Sequence, residues 1–145
     1  MKFNIGVIGE TGCSLSSFQK EQAVSALDAI LKSYSDVVVH HCNTVDNTSF
    51  FIEEAKKIGC LIKSHPRLLA ERSYDVYESD ESEKPKTLVE RDAFLIKESE
   101  FVILFTEIHP ENCPRTSTIN FSYNLAKELA KPIVVVLPTQ ILRYM

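Results

Sequence analysis

Five short apolar runs, each separated from the next by a stretch of helical character, constrain the fold of this chain more than any other feature. The runs are Phe3 to Ile8, Asp36 to His41, Cys60 to Ser64, Phe101 to Thr106 and Ile133 to Leu137. Most are continuously apolar and β-branched rather than alternating, the pattern of strands covered on both faces, as in parallel sheets. Four helical stretches follow the 3.6-residue period. Ser16 opens a capping box with Gln19, and Ala23, Val24, Leu27, Ile30 and Leu31 mark one face of the first. The second runs through Phe51, Ile52, Ala55 and Ile58 and stops at Gly59. Thr87-Leu88-Val89-Glu90 reads as a capping box for the third, with Leu95 and Ile96 on its apolar side. A Thr116-Ser117-Thr118 cluster caps the fourth, which continues through Leu125, Ala126 and Leu129 to Lys131-Pro132.

Strands alternating with helices predict an α/β chain: a five-stranded, mostly parallel sheet in the order 3-2-1-4-5, with helices on both faces and right-handed crossovers. The 145 residues, 44% of them apolar, suffice for one core, so 1–145 is expected to be a single domain. Residues 66–86 stand apart as a long loop insertion carrying the solvated acidic run Ser79-Asp80-Glu81-Ser82-Glu83. Sixteen Lys and Arg against twenty Asp and Glu give a net charge of −4, with no basic run. Nucleic acid and anionic membranes are therefore disfavoured as partners. No apolar stretch approaches the ~20 residues of a membrane span. The start of the chain reads as a strand rather than a leader, so a soluble cytoplasmic protein is expected.

Cys13, Cys42, Cys60 and Cys113 form no C-x-x-C pair and are expected to be buried reduced thiols. His40, His41, His65 and His109 do not flank a carboxylate at i, i+4 spacing. Neither a metal site nor a cofactor is expected.

In the order 3-2-1-4-5, ligands bind where the topology reverses, between the carboxyl ends of the first and fourth strands. Gly9, Glu10, Thr11 and Gly12 follow the first strand. Their glycines either bring backbone amides close to a phosphate or simply make a tight turn. His41 ends the second strand and Asn43 follows it. Glu107 follows the fourth, and Glu10 and Glu107 are the positions a general base would occupy. Arg115, Thr116, Ser117 and Thr118 lead into the fourth helix, where a forked cation, hydroxyls and the helix dipole favour an anion. Arg91 near the start of the third helix either reaches over the switch point toward a ligand, forms an exposed pair with Asp92, or pins a neighbouring loop. No Ser-His-Asp or Cys-His nucleophile pattern is present.

Taken in order, these segments resemble the SLOG superfamily, the Rossmann-like nucleotide-binding domains shared by the DNA-processing protein Smf/DprA and the cytokinin-activating LOG enzymes. The matching segments are Ile5-Gly6-Val7-Ile8-Gly9-Glu10-Thr11, His40-His41-Cys42-Asn43 through Thr48, Glu90-Arg91-Asp92, Arg115-Thr116-Ser117-Thr118 and Lys131-Pro132 through Pro138. The resemblance implies a Rossmann-like three-layer sandwich, a nucleotide-like ligand and homo-oligomers. Cys42, Asp46 and Ser117 stand where the family has glycine. Phe121 occupies the turn where LOG enzymes carry their hydrolytic glutamate, so LOG activity does not carry over. The expected function is binding of a nucleotide or nucleotide-derived molecule, without turnover. Two alternatives stay open: an N-glycosidase or ribosyltransferase using Glu10 or Glu107, and an interaction module with a decayed site whose acidic loop recruits a partner.

Overall fold

A computed structural model of the chain describes residues 2–10, 14–42, 47–66, 68–69, 72–73, 79–84 and 86–144. Its strands are β1 (Phe3–Ile8), β2 (Val37–His41), β3 (Leu61–Ser64), β4 (Leu68–Leu69), β5 (Arg72–Ser73), β6 (Glu81–Ser82), β7 (Phe101–Phe105), β8 (Ile133–Val136) and β9 (Ile141–Tyr144). Its α-helices are α1 (Ser17–Ser33), α2 (Ser49–Lys57), α3 (Leu88–Glu98) and α4 (Thr118–Glu128), with a short 3-10 turn at Pro110–Asn112. Seven strands form one sheet in the order β6-β3-β2-β1-β7-β8-β9. The inner five reproduce the expected order, all parallel, with Gly6 opposite both His40 and Val102.

The sheet has seven strands rather than five because both edges are extended, one by a segment of an acidic run and the other by the short Ile141–Tyr144 strand at the end of the chain's described residues. At one edge, β6 comes from the acidic run expected to be only solvated. It pairs in parallel with β3, while the Asp80 carboxylate accepts from the Ile62 amide at 2.8 Å and Glu83 pairs with Lys63 at 3.1 Å. At the other edge, a turn closed by the Leu137 amide on the Gln140 carbonyl returns β9 antiparallel to β8. Within the stretch expected to be loop, β4 and β5 also form a small antiparallel ladder.

Two apolar layers cover the sheet, as parallel strands require. Under α1 and α2 lie Ile5, Val7, Leu27, Val39, Phe51 and Ile62; under α3 and α4 lie Ile8, Leu95, Ile96, Leu104, Ile119 and Val135. Each such side chain, once buried, stabilises the fold by about 1.5–3 kcal/mol. Three residues assigned to apolar helix faces point outward instead: Val24, Ile58 and Leu129. The α1 capping box at Ser16 and Gln19 is present. At α3, however, the Thr87 hydroxyl donates to the Glu90 carboxylate at 2.7 Å and caps no backbone amide. Gly6 sets how close α3 comes to β1. A Cβ there would sit 2.6 Å from Ser99 Oγ and 2.7 Å from Leu95 Cδ2. Among the described residues, no helix is long and apolar enough to cross a membrane.

Candidate functional site at the β1–β7 switch point

The topology reverses between β1 and β7, so their carboxyl ends open outward with α1 and α4 beginning nearby. Asn47, which approaches this edge from the β2 side, fastens the two strand ends together. Its side-chain oxygen accepts the Glu10 amide at 2.8 Å, its NH2 donates to the Phe105 carbonyl at 3.3 Å, and its own amide donates to the Glu10 carbonyl at 3.1 Å. That bridge passes so close to Gly9 that a Cβ there would lie 1.8 Å from Asn47 Oδ1. The absent side chain of Gly9 therefore serves a close approach within the protein itself.

The Glu10 carboxylate accepts the Glu107 amide at 2.9 Å, so the two glutamates meet at the crevice, one of them pinning the backbone of the other. Glu10 is half-buried and Glu107 exposed. On the opposite side of the sheet, buried Gln19 donates to the Thr106 carbonyl at 3.2 Å and the Val136 carbonyl at 2.9 Å, joining α1 to the ends of β7 and β8. The Val136 carbonyl also accepts the Thr106 amide at 3.3 Å, so Gln19 adds a second bond where the β7–β8 ladder ends.

At the start of α4, the Ser117 hydroxyl accepts the Asn120 amide at 3.1 Å and caps the helix. Serine supplies the side-chain oxygen that such a cap needs. The Thr118 and Ile119 amides, first in the helix, take no part in that cap. Arg115 and Thr116 are exposed just ahead of them. Arg91 and Asp92 prove to be a buried pair, 3% and 1% exposed, not an exposed one. The Asp92 carboxylate takes Arg91 Nε at 2.8 Å and Nη2 at 2.7 Å. It also accepts the Thr118 hydroxyl and the Cys42 thiol, tying α3, α4 and the end of β2 together. Burial raises the Asp92 carboxyl above its usual range, against the opposing pull of Arg91, Thr118 and Cys42.

The structure thus brings Gly9, Glu10, Glu107, Ser117 and Thr118 to the carboxyl-terminal edge, with Arg91 beneath α4. His41 is buried and turned toward Ser79 Oγ, 3.0 Å from its Nε2. Thr11, Gly12 and Asn43 lie outside the described residues. Asn47 and Gln19, which organise the edge, were not singled out as site residues from the sequence. Gln19 showed only its capping-box role, and a lone Asn in a polar loop carries no local signal of a long-range bridge. Cys42, Cys60 and Cys113 are buried thiols outside any disulfide, and burial raises the Cys60 and Cys113 thiols above their ordinary range, which keeps them protonated.

A second polar cluster lies under α3, two strands away. His40, His65 and Glu98 meet there, brought together from β2, the end of β3 and the end of α3. His40 Nδ1 faces His65 Nε2 at 2.9 Å, and His40 Nε2 faces Asn4 Oδ1 at 2.8 Å. Burial, reinforced by the Lys63 charge, lowers His40 to about 4 and His65 to about 2, so both imidazoles are neutral at pH 7. Sequence spacing could not reveal the cluster, because its members come from three separate elements.

No family model and no curated protein matches the sequence. Solved structures that share the fold include the following two. The X-ray structure of TM1055, a structural genomics target, superposes at a TM-score of 0.62 with 15% identity, over 90% of this chain and 72% of its own. The molybdenum cofactor binding protein from the phototrophic bacterium Rippkaea orientalis superposes at 0.65 with 18% identity, over 93% of this chain and 76% of its own. The chain therefore has a Rossmann-like α/β fold.

Proposed function

We propose that the protein binds a nucleotide or nucleotide-derived anion at the crevice between the β1 and β7 ends, and holds it without turnover. One observation carries the reading: the α4 N-terminus stands at the topological switch point, with exposed Arg115 and Thr116 before it and its first amides outside the Ser117 cap. A helix N-terminus joined to a forked cation suits a phosphate or carboxylate group. Binding rather than hydrolysis is favoured by the chemistry nearby. The Glu10 carboxylate is engaged by the Glu107 amide, and Phe121 stands where the resembled LOG enzymes place a glutamate. The neighbour that binds molybdenum cofactor supports a small-molecule ligand, and the resemblance to the SLOG superfamily supports a nucleotide-like one and self-association.

The test is incubation of the full chain with a panel of mono-, di- and cyclic nucleotides, NAD and ADP-ribose, followed by ultrafiltration and mass spectrometry of both fractions. The reading expects one ligand retained intact, with retention lost in a folded Arg115→Ala variant. Free base or ribose phosphate in the filtrate, abolished by Glu10→Gln or Glu107→Gln, would make the protein an N-glycosidic enzyme instead.

A further inference from the structure

The cluster under α3 offers three donor atoms to one point in space. His40 Nδ1 and His65 Nε2 are 2.9 Å apart, and Glu98 Oε1 lies 3.8 Å from the first and 3.6 Å from the second. These separations form an acute triangle whose corners all lie about 2.0 Å from a common interior point, the distance at which Zn2+ binds imidazole nitrogen and carboxylate oxygen. We infer that His40, His65 and Glu98 form a binding site for a first-row divalent cation, with Zn2+ the best fit to this two-imidazole, one-carboxylate donor set.

Three further observations point to a ligand rather than to a self-contained hydrogen-bond network. Glu98 Oε1 is buried and has no hydrogen-bond partner, although the other oxygen of the same carboxylate bonds Lys63 Nζ at 3.2 Å. A buried carboxylate oxygen without a donor is costly, and a cation removes that cost. Asn4 Oδ1 can only accept, so it places the proton of His40 on Nε2 and leaves the Nδ1 lone pair facing the centre. That is the outer-shell contact that orients metal-binding histidines. Both rings are 1–2% exposed, so the donor atoms converge inside the protein rather than on its surface.

In the metal-free chain the two rings face each other across a shared proton, with centroids 5.1 Å apart. Metal binding moves the His65 proton from Nε2 to Nδ1, which frees the His65 Nε2 lone pair to join that of His40 Nδ1 beside Glu98 Oε1. Lys63 is the nearest competing cation. Its charge is taken up by Glu98 and by Glu83, which lies 3.1 Å away. Glu98 is 30% exposed, so the cation is reached from the solvent side of α3, where water can complete its coordination.

The experiment uses the full chain stripped with chelator and titrated with Co2+ as a visible probe, then with Zn2+ as competitor. The expected result is one Co2+ per chain, with d–d bands lacking thiolate charge transfer and abolished by stoichiometric Zn2+. Glu98→Gln preserves the contact to Lys63 and has a partly exposed side chain, so it should fold. It should weaken the metal by about tenfold or more, and Asn4→Ala by about tenfold through the outer shell. His109→Ala, a histidine outside the cluster, should leave affinity unchanged. Absence of Co2+ bands, thiolate charge transfer marking the cysteines, or wild-type affinity in folded Glu98→Gln would each overturn the assignment.

Discussion

At the residue scale, Asn47 is the side chain on which the geometry of the edge depends, and Gly9 is its consequence. Substituting Gly9→Ala would drive a methyl group into Asn47 Oδ1 at 1.8 Å and Thr48 Cγ2 at 2.7 Å. Overpacking of this kind costs about 1–3 kcal/mol, so the urea midpoint should fall, and an unchanged midpoint would show that the bridge can shift aside. Asp92 gives a second residue-scale prediction. Replacing it with Ala removes the carboxylate that holds Arg91, Thr118 and Cys42, and loss of one partner of a buried pair costs about 3–5 kcal/mol. The double change Arg91→Met with Asp92→Leu should recover most of that loss in the same denaturation assay. If it is as unstable as Asp92→Ala alone, the pair does more than satisfy itself. Much of this was beyond the reach of sequence reasoning. Adjacent Arg and Asp on a helix read as solvated charges, and only the packing of α4 over α3 makes them interior.

At the scale of elements, the inner strands and all four helices were legible because continuous apolar runs and the 3.6-residue period report burial directly. The edge strands were not. β6 is two residues long inside an acidic run, and its place in the sheet depends on Asp80 and Glu83 reaching partners in β3. β9 has four residues of mixed polarity, and its pairing follows from the turn at Leu137 and Gln140. The docking of α3 on β1 was equally hidden, since Gly6 falls inside the expected first strand and carries no local sign of a helix contact. The structure assigns it to contact with Ser99 and Leu95. Gly6→Ala should therefore destabilise the chain by about 1–3 kcal/mol. Adding Ser99→Gly, which removes the atom 2.6 Å from the new Cβ, should return part of it. A double-mutant cycle with no coupling would contradict that packing account.

At the scale of the whole molecule, three buried histidines make stability depend on pH. His40 and His41 are lowered to about 4 and His65 to about 2, from 6.5 in each case. Burial is the largest cause for all three, with added repulsion from Lys63 at His40, from Lys56 at His41, and from His40 and Lys63 at His65. Between about 4 and 6.5 the unfolded chain binds more protons than the folded one, so stability is full above 6.5 and falls as the pH drops toward 4. His41 alone accounts for about 3 kcal/mol over that window. Glu83, held low chiefly by Lys63, acts with the same sign but only below about 4.5. In chelator-treated protein, urea midpoints should fall between pH 7 and pH 5, and a constant midpoint would show that the histidines are hydrated or charged in the native state.

The sheet order fixed in advance where a ligand site should lie, because the switch point follows from topology alone. What occupies it depends on loop details that one sequence does not encode locally. Amide chemical shifts of the isotope-labelled full chain, recorded while the nucleotide retained in ultrafiltration is titrated in, address this most directly. The account predicts saturable shifts centred on Gly9, Glu10, Glu107 and Thr116 through Ile119, absent in Arg115→Ala. Shifts centred instead on the exposed face of α1 around Val24 and on neighbouring Phe50 of α2, or no saturable shifts at all, would contradict a ligand site at the β1–β7 crevice.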